Sequence, residues 1–414
     1  MNMTANKKKI LIIIMDGLGD RGNDELNGMT PLQATETPNL DWFTKNGMSG
    51  LCDVISPGVT PGSDTAHLSI LGYDPRKVYT GRGPFEAAGI GAIGKKGDVA
   101  FRCNFASAND DLVITDRRAG RIKTPDTSDL INALQGIKID GIEVIVKEGT
   151  EHRAALLLRG PGLSPEVTDV DSHDLTKVLV SKGNTSEAEF TANVLNKFVN
   201  MSYDILKDHP VNKRRVSEGL APGNILLPRG AGSFPNIDPF PEIHDIKSAC
   251  VAGVGMIKGI SCVCGLDVQN PPKECTGGID SDFTAKAKFA LEVLKDYDFV
   301  LMNYKAPDIC GHDGNVKLKC EVVERLDEMA GYLRDNLPDD LVIVLTADHS
   351  TPCSLLDHSG DPVPITIYTH GIVVDTATTF SESGCSIGSI GRIRGLDIVP
   401  ICMDLANRTE KYGA

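Results

Sequence analysis

Four short apolar runs constrain the fold of this chain more than any other feature. They lie within residues 10–16, 297–308, 341–349 and 364–370. The first three segments contain Asp16, Asp308 and Asp348 at or shortly after the end of the apolar run. Continuous apolar runs of this length are typical of strands that are covered on both faces, as in a parallel sheet.

The segments between these runs show helical periodicity. Apolar residues recur at helical spacing from Phe283 to Leu294 and again from Val316 to Leu333. Alternating strands and helices predict an α/β fold, in which helices flank a mostly parallel sheet. In such sheets catalytic groups collect beyond the carboxyl ends of the strands, where the loops leave an open crevice. We therefore expect the three aspartates to lie at one edge of the sheet.

The order of the predicted strands indicates an inserted domain, because one strand comes first in the chain and the others come late. We expect a discontinuous core at residues 1–93 and 245–414, and an inserted α+β domain at residues 94–244. Stretches rich in Gly, Pro and charged residues mark both joins. Within the insertion, Ser-Glu-Ala-Glu at 186–189 predicts a helix start through a capping box.

Composition and charge exclude several classes of protein. The 414 residues include 42 Lys and Arg against 56 Asp and Glu, so the formal net charge is −14. This charge, without a basic patch, argues against binding to nucleic acid or to an anionic membrane. Three lysines precede six apolar residues at 7–15, but the apolar run is too short for a signal peptide or a spanning helix.

The cysteines indicate the cellular compartment. There are eleven of them, an odd number in a long chain, which favours reduced thiols over a disulfide framework. We therefore expect a cytoplasmic protein whose partner is a small molecule. The sequence indicates no oligomeric state.

The last third of the chain contains three pairings of aspartate with histidine. They are Asp308 with His312, Asp348 with His349, and Asp357 with His358. Carboxylate oxygens and imidazole nitrogens together suit Mn²⁺, Zn²⁺ or Mg²⁺. A single pair of this kind is more often a surface hydrogen bond, but three pairs at predicted strand ends indicate a metal centre.

Ser63 is the candidate nucleophile. It lies in the turn-rich segment 61–67, which reads Pro-Gly-Ser-Asp-Thr-Ala-His. A serine after Pro-Gly can project from a tight turn or a helix start, where backbone N–H groups meet a developing anion. The alternative is that Ser63 is only a helix N-cap, a position that serine favours. A nearby metal centre that lowers the pKa of the hydroxyl favours the catalytic role.

Six motifs carry a resemblance to a known family. They are MDGLGD at 15–20, TPGSDTAHLSILGYDP at 60–75, GRGPFEAAG at 81–89, KAPDICGHDG at 305–314, TADHSTP at 346–352 and DHSGDPVP at 357–364. In order and spacing, the chain resembles the archaeal-type, cofactor-independent phosphoglycerate mutases, a branch of the alkaline phosphatase superfamily. The resemblance covers nearly the whole chain. It implies an alkaline-phosphatase-like core with two metal ions and a serine that is transiently phosphorylated.

The resemblance also implies roles for individual residues. Asp16, Ser63, Asp348 and His349 would hold the first metal ion, and Asp308, His312 and His358 would hold the second. Mn²⁺ is the favoured ion, with Mg²⁺, Zn²⁺ and Co²⁺ as alternatives. The implied substrate-binding residues are Arg117, Arg118, Arg121, His152, Arg153, Arg229 and Lys258. His67 would assist the nucleophile. Cys310 stands where the family suggests a small residue, which raises the hypothesis of sensitivity to oxidation or metal exchange.

The implied reaction is the interconversion of 3-phosphoglycerate and 2-phosphoglycerate in glycolysis and gluconeogenesis. Ser63 would attack the phosphoryl group in line while two cations neutralise the charge on its oxygens. Glycerate would stay bound, reorient and take the group back from phosphoserine, without free 2,3-bisphosphoglycerate. Arginine side chains would hold the carboxylate of glycerate and help to exclude water.

Two other functions stay open at this point. The first is a metal-dependent phosphatase or phosphomutase of the same superfamily that acts on another small phosphorylated metabolite. The second is a catalytically silent protein that binds a metal ion or a phosphometabolite, and the presence of Ser63 argues against it.

Some of the basic residues also have a simpler interpretation. The arginines of segment 116–121 could form a solvated basic loop. Arg214 and Arg215 are expected to form a surface pair. Lys258, which we place at a strand end, either meets an anion or extends to solvent.

Overall fold

The structure is a computed structural model that describes residues 6–172 and 174–413. Within these ranges the chain forms fourteen strands. They are β1 Lys9–Met15, β2 Met48–Asp53, β3 Val99–Ala108, β4 Ile114–Asp116, β5 Lys138–Ile139, β6 Ile142–Glu148, β7 Arg153–Arg159, β8 Ile225–Ser233, β9 Ser248–Val251, β10 Asp267–Gln269, β11 Phe299–Tyr304, β12 Leu341–Thr346, β13 Val363–Thr369 and β14 Gly391–Arg394. Residues 1–5 and 414 of the predicted core lie outside the described residues.

The same ranges contain fifteen α-helices. They are α1 Pro31–Ala34, α2 Pro38–Asn46, α3 Ser63–Ile70, α4 Pro75–Val78, α5 Gly83–Gly89, α6 Asp126–Ala133, α7 Ser186–Leu206, α8 Pro210–Ser217, α9 Phe240–His244, α10 Gly255–Val263, α11 Phe283–Val293, α12 Ala306–His312, α13 Val316–Asp335, α14 Glu382–Cys385 and α15 Gly395–Leu405. Two short 3-10 segments lie at Asp24–Leu26 and Ala119–Arg121. Among the described residues, no helix has both the length and the apolar character that crossing a bilayer requires.

The chain divides into two compact units. The first unit comprises residues up to Val78 and from Asp238 onward, and the second comprises residues 79–237. The joins predicted from the sequence lie near Gly94 and His244, so the limits differ at both joins. That the core binds metal ions and the insertion binds the substrate stays a prediction.

The first unit is built on an eight-stranded sheet in the order β10-β9-β11-β1-β12-β13-β2-β14. Neighbouring strands from β10 to β12 are parallel, β13 runs antiparallel to both of its neighbours, and β2 and β14 are parallel. The central strands β11, β1 and β12 are buried along nearly their whole length. This confirms the α/β fold with a mostly parallel sheet. The fourth predicted strand is the antiparallel β13, since an apolar run alone does not specify direction.

The second unit has its own sheet in the order β4-β3-β7-β6-β5, and β8 also pairs with β3. Every pairing in it is antiparallel. Its apolar core combines strand residues such as Phe105 with residues of α7 such as Phe198. The predicted capping box makes Ser186 the N-cap of α7, but Ser186 is the first residue of the helix. The N-cap is Thr185, whose hydroxyl accepts a hydrogen bond from the N–H of Ala188.

The cysteines are free in the part of the chain that the structure describes, which includes all eleven of them. Cys310 is buried in α12, and burial raises the pKa of its thiol to about 11. The reactive thiolate is therefore scarce at neutral pH. This environment argues against the hypothesis that Cys310 is sensitive to oxidation.

Candidate active site

Three adjacent parallel strands bring aspartates to one edge of the sheet in the first unit. β11, β1 and β12 lie side by side. Asp16 directly follows β1, Asp348 follows β12, and Asp308 lies in α12, which follows β11. All three side chains are buried. Because the carboxyl ends of parallel strands meet at the same edge, residues far apart in the sequence come together here.

Ser63 is the first residue of α3, and Gly62 is the N-cap. The interpretation of Ser63 as a helix N-cap is therefore wrong. Its Oγ lies 3.2 Å from Nε2 of His349 and 3.2 Å from Nζ of Lys305. The start of a helix also favours negative charge, because the first backbone N–H groups and the helix dipole point towards it.

Asp16, Asp348 and His349 form a first set of groups that could hold a metal ion, beside Ser63. Nε2 of His349 lies 3.6 Å from Oδ1 of Asp16 and 3.3 Å from Oδ2 of Asp348. Oδ2 of Asp348 is buried and accepts no hydrogen bond from any residue that the structure describes. Carboxylate oxygens and a ring nitrogen therefore lie close together here, and Oδ2 of Asp348 has no donor among the described residues.

Asp308, His312 and His358 form a second set. The Nε2 atoms of the two histidines are 3.2 Å apart, and they lie 3.5 and 3.3 Å from Oδ1 of Asp308. Nδ1 of His312 is 3.0 Å from the carbonyl oxygen of Leu356, and Nδ1 of His358 is 2.8 Å from that of Pro61. Because a carbonyl oxygen only accepts, each Nδ1 carries a hydrogen, so Nε2 is the only ring nitrogen of each histidine that can offer a lone pair.

Both sets fit a divalent cation. Ligand atoms bound at about 2.1 Å in a tetrahedron lie about 3.4 Å apart, which is close to the separations within each set. Two imidazole lone pairs that face each other at 3.2 Å repel unless a proton or a cation lies between them. We refer to the seven residues as the ligand cluster: Asp16, Ser63, Asp308, His312, Asp348, His349 and His358.

Burial makes the ligand cluster electrostatically unfavourable without a cation. Burial, and next the charge of Asp348, raise the pKa of Asp16 to about 7. Burial lowers the pKa of His349 to about 4, so its ring is neutral at pH 7. For Asp308, burial alone would raise the pKa, but the hydrogen bond from His358 and the charge of Lys305 outweigh it and hold the pKa well below its usual range.

Lys305 contacts the ligand cluster, although no role for this residue follows from the sequence. Its Nζ lies 2.8 Å from Oδ1 of Asp16, 2.7 Å from Oδ2 of Asp308 and 3.2 Å from Oγ of Ser63. It therefore connects both ligand sets to the candidate nucleophile. The sequence signal for Lys305 is its position at the start of the motif 305–314, three residues before Asp308.

His67, which is expected to assist the nucleophile, contacts the backbone of Ser63. It is buried, its Nδ1 lies 2.7 Å from the carbonyl oxygen of Ser63, and its Nε2 lies 3.3 Å from Nδ2 of Asn303. Nδ2 of Asn303 also donates to Oδ2 of Asp16 at 3.0 Å. His67 thus contacts the backbone of the nucleophile and supports Asp16 through Asn303. Asn303 had no signal in the sequence, since it lies inside an apolar strand.

A further carboxylate lies near the second ligand set. Asp357 has an oxygen within 4.8 Å of ligand atoms of both His312 and His358. The side chain is exposed. The predicted second set includes His358 but not Asp357.

The second unit contains a pocket of about 320 Å³ that is lined mainly by basic residues. We call it the arginine pocket, and its lining residues are Arg117, Arg118, Arg121, His152, Arg153, Arg229, Asn104 and Glu151. It brings together all six substrate-binding residues that the sequence predicted for the insertion.

The charges of the arginine pocket are partly balanced by one carboxylate. Arg117 and Arg229 both approach Asp171, with nitrogen to oxygen distances of 3.1 and 3.5 Å. Burial, and then the charges of Arg153 and Arg118, lower the pKa of His152. Such a concentration of guanidinium groups suits an anion.

Lys258 does not lie at a strand end as predicted. It is on helix α10, and its Nζ donates to Oδ1 of Asn270 at 2.8 Å. The apolar stretch around it forms a helix because Met256, Ile257 and Ile260 are buried on one side at helical spacing. No described hydrogen bond or ion pair joins Lys258 to the ligand cluster.

Arg215 does not form the predicted surface pair with Arg214. It is buried and donates to the carbonyl oxygens of Ala119 and Ala221 at 3.2 and 3.0 Å. Arg214 is exposed and pairs with Asp126. Arg215 thus supports the backbone of the turn from which the pocket residues 118 and 121 project.

Full-length relatives identify the family. A 2,3-bisphosphoglycerate-independent phosphoglycerate mutase 1 from Methanothermobacter thermautotrophicus is 49% identical over 413 residues, which cover 98% of this chain and 100% of the relative. The chain belongs to this mutase family. A second mutase of the family, from Methanocaldococcus jannaschii, is 47% identical over 413 residues and covers 99% of this chain and 100% of the relative. The model of the 2,3-bisphosphoglycerate-independent phosphoglycerate mutase family matches residues 44–212.

Solved structures agree with membership in the mutase family. A protein from Pyrococcus horikoshii matches with a TM-score of 0.85 and 40% identity, over 99% of this chain and 100% of the other. A cofactor-independent phosphoglycerate mutase from Thermoplasma acidophilum matches with a TM-score of 0.75 and 39% identity, over 96% of this chain and 100% of the other. Together with the relatives, these matches confirm the resemblance that the six motifs carry.

Proposed function

We propose that this chain interconverts 3-phosphoglycerate and 2-phosphoglycerate through a phosphoserine at Ser63, independently of 2,3-bisphosphoglycerate. The observation that carries the proposal is the position of the Ser63 hydroxyl, 3.2 Å from both Nε2 of His349 and Nζ of Lys305. The substrate is supported by two full-length relatives that are named as mutases of this kind.

We infer that the ligand cluster holds two divalent ions. Asp16, Ser63, Asp348 and His349 would bind one ion, and Asp308, His312 and His358 would bind the other. Mn²⁺ is the favoured ion, with Mg²⁺, Zn²⁺ and Co²⁺ as alternatives. When bound, such ions neutralise the phosphoryl oxygens and lower the pKa of the Ser63 hydroxyl.

The chain's own residues supply the other parts of the transfer. Oγ of Ser63 gives up its proton and forms the new bond to phosphorus, while the bond from phosphorus to O3 of the glycerate breaks and O3 gains a proton. The Lys305 ammonium donates towards Oγ of Ser63 and stabilises negative charge that develops there. The phosphoserine then lies at the start of α3, where the helix favours an anion. The second half of the reaction returns the phosphoryl group to O2 of the glycerate.

We propose that the arginine pocket binds the anionic groups of the substrate. A guanidinium group can donate two parallel hydrogen bonds to one carboxylate or phosphate. Retaining glycerate is what distinguishes a mutase from a phosphatase, because a phosphoserine that has lost its glycerate can only react with water. Lys258 stays in the proposal as a weaker candidate for substrate binding, given its bond to Asn270.

We also propose that the protein acts in the cytoplasm, in glycolysis and gluconeogenesis. Eleven free cysteines support a reducing compartment. The net charge of −14 supports a small-molecule substrate over nucleic acid or an anionic membrane.

A coupled enolase assay tests the substrate, the reaction type and the independence from 2,3-bisphosphoglycerate together. The purified chain with 3-phosphoglycerate, Mn²⁺ and enolase should yield phosphoenolpyruvate without added bisphosphate. A parallel measurement of inorganic phosphate should show little hydrolysis. Activity that requires the bisphosphate would contradict the proposed mechanism. Release of phosphate in place of 2-phosphoglycerate would favour the phosphatase alternative.

A further inference from the structure

The hydroxyl of Thr351 lies between the two proposed ligand sets. Its Oγ1 is 2.7 Å from Oδ1 of Asp308 and 3.0 Å from Nδ1 of His349. Thr351 is fully buried. It belongs to neither ligand set, yet its one oxygen atom contacts a member of each.

The chemistry of the three groups fixes the direction of both hydrogen bonds. A carboxylate only accepts, so the hydroxyl hydrogen of Thr351 points to Asp308. The hydroxyl oxygen then accepts a hydrogen from Nδ1 of His349. With its hydrogen on Nδ1, the neutral ring has its lone pair at Nε2, the nitrogen that faces Asp16, Asp348 and Ser63. One hydroxyl therefore orients a carboxylate of the second set and selects the tautomer of an imidazole in the first.

The backbone of Thr351 is held by neighbouring segments. Its N–H donates to the carbonyl oxygen of Gly19 at 3.0 Å, and its own carbonyl oxygen accepts from Nζ of Lys319 at 2.9 Å. Lys319 is fully buried and pairs with Asp20 at 2.8 Å. A Cβ atom added to Gly17 would lie 2.6 Å from Oγ1 of Thr351. The hydroxyl thus has a defined position with little free space beside it.

We propose that Thr351 is a positioning residue whose hydroxyl couples the two metal sites, by orienting Asp308 and by presenting Nε2 of His349 as a ligand. This inference rests on the proposed function, since it takes both residues as metal ligands. Groups that hydrogen-bond to metal ligands fix their orientation, and losing one typically lowers metal affinity or activity by about 10- to 100-fold. Loss of this hydroxyl should weaken both sites together.

Calorimetric titration of Mn²⁺ into the metal-free full chain tests the proposal. Thr351→Val replaces the hydroxyl by a methyl group of similar size and should lower the affinity for both Mn²⁺ ions by about 10- to 100-fold. In the coupled assay, the same variant should lower kcat by a similar factor with little change in KM. Thr351→Ser keeps the hydroxyl and should restore most of the affinity and most of kcat.

A matched control comes from another buried threonine of the first unit. Oγ1 of Thr366 lies 3.2 Å from Oγ1 of Thr44 and 2.9 Å from Oγ of Ser49, outside the ligand cluster. Thr366→Val removes a buried hydroxyl of the same kind and should leave Mn²⁺ affinity unchanged. Thermal unfolding of each metal-free variant shows whether it is folded.

A spectroscopic measurement on the wild-type chain tests the tautomer of His349 directly. The ¹⁵N chemical shifts of the His349 ring in the metal-free protein, assigned by comparison with His349→Asn, should show the Nδ1–H tautomer. The Nε2–H tautomer, equal losses in the Val and Ser variants, or unchanged Mn²⁺ affinity in a folded Thr351→Val would each overturn the role of Thr351 and leave the mutase proposal standing. A wild-type chain that binds no Mn²⁺ would overturn the metal assignments and this inference with them.

Discussion

The ligand cluster and the arginine pocket both gather charged side chains, but they hold them in different ways. In the ligand cluster the three aspartates and His349 are buried, and carbonyl oxygens or a hydroxyl orient the histidines. In the arginine pocket Arg118, Arg121 and Arg153 are exposed. Buried charges need a fixed partner of opposite sign, whereas hydrated guanidinium groups can move between partners.

The difference suits two separate tasks. In the proposed mechanism, a rigid cluster of carboxylates and imidazoles binds cations and fixes the place where the phosphoryl group reacts. A hydrated pocket of guanidinium groups can hold glycerate while it turns from one hydroxyl to the other. The comparison implies that damage to the cluster stops the chemistry, while damage to the pocket weakens substrate binding.

Removal of divalent ions should have the largest effect. Treatment with EDTA should abolish mutase activity, and added Mn²⁺ should restore it without 2,3-bisphosphoglycerate, which the enolase-coupled assay measures. The melting temperature should also fall, since ions that bind only the folded chain stabilise it. Full activity in the chelated protein would contradict the metal assignments and remove the contrast between cluster and pocket.

Replacement of the nucleophile should come next. Ser63→Ala should lower turnover by roughly three orders of magnitude or more, because no other group in the site would carry the phosphoryl group. Mn²⁺ binding should be largely kept, as the other ligands remain. Ser69→Ala is the control, since this buried serine of the same helix bonds the carbonyl oxygen of Val54. Near-native turnover in Ser63→Ala would remove Ser63 from its role.

Breaking the buried ion pair of Lys319 and Asp20 should lower stability more than a substitution in the arginine pocket. Lys319 is fully buried and donates to Asp20 and to the carbonyl oxygens of Gly19 and Thr351. Lys319→Met leaves the Asp20 charge buried without its cation and should lower the free energy of unfolding by about 3–5 kcal/mol. Lys317→Met, on the exposed side of the same helix, should change it little. Denaturant unfolding measures both, and equal stabilities would contradict the structural role of the pair.

Changes in the pocket should have the smallest effects of this series. Arg117→Ala and Arg121→Ala should each raise KM by about 10- to 100-fold, the loss expected for one charged hydrogen-bonding group, while Mn²⁺ affinity stays the same. Arg214→Ala should leave KM unchanged, because Arg214 is exposed and pairs with Asp126 outside the pocket. If the Arg117 and Arg121 variants also show wild-type kinetics, these arginines belong to a solvated loop.

The sequence predicts the residues of the ligand cluster better than the residues that support them. Asp16, Asp308 and Asp348 follow apolar runs, and parallel strands with buried faces bring such positions to one edge of a sheet. Lys305 and Thr351 lie within quoted motifs, but nothing in their residue type indicates that they connect the two ligand sets. Their roles depend on distances between segments that are far apart in the chain.

Local predictions failed where tertiary contacts outweigh local pattern. Lys258 lies in an apolar stretch of a length that fits either a strand or a short helix, and packing of one apolar side selects the helix α10. Arg215 looks like a surface residue beside Arg214, but its guanidinium group is drawn inwards by two backbone carbonyl oxygens. Thr185 replaces Ser186 as the N-cap because its hydroxyl is the one placed to accept from the N–H of Ala188.

From the residues alone follow the α/β class, the three aspartates at strand ends, the candidate nucleophile and the family to which the motifs belong. Residue type and periodicity carry the fold class and the strand ends, because burial and backbone geometry impose them locally, and the family rests on the resemblance of the six motifs. Only the folded chain reveals that Lys305 contacts both ligand sets, that the hydroxyl of Thr351 contacts both Asp308 and His349, and that Arg215 bonds the backbone of Ala119. These relations join segments far apart in the sequence, and hydrogen-bond direction has meaning only once the atoms are in place.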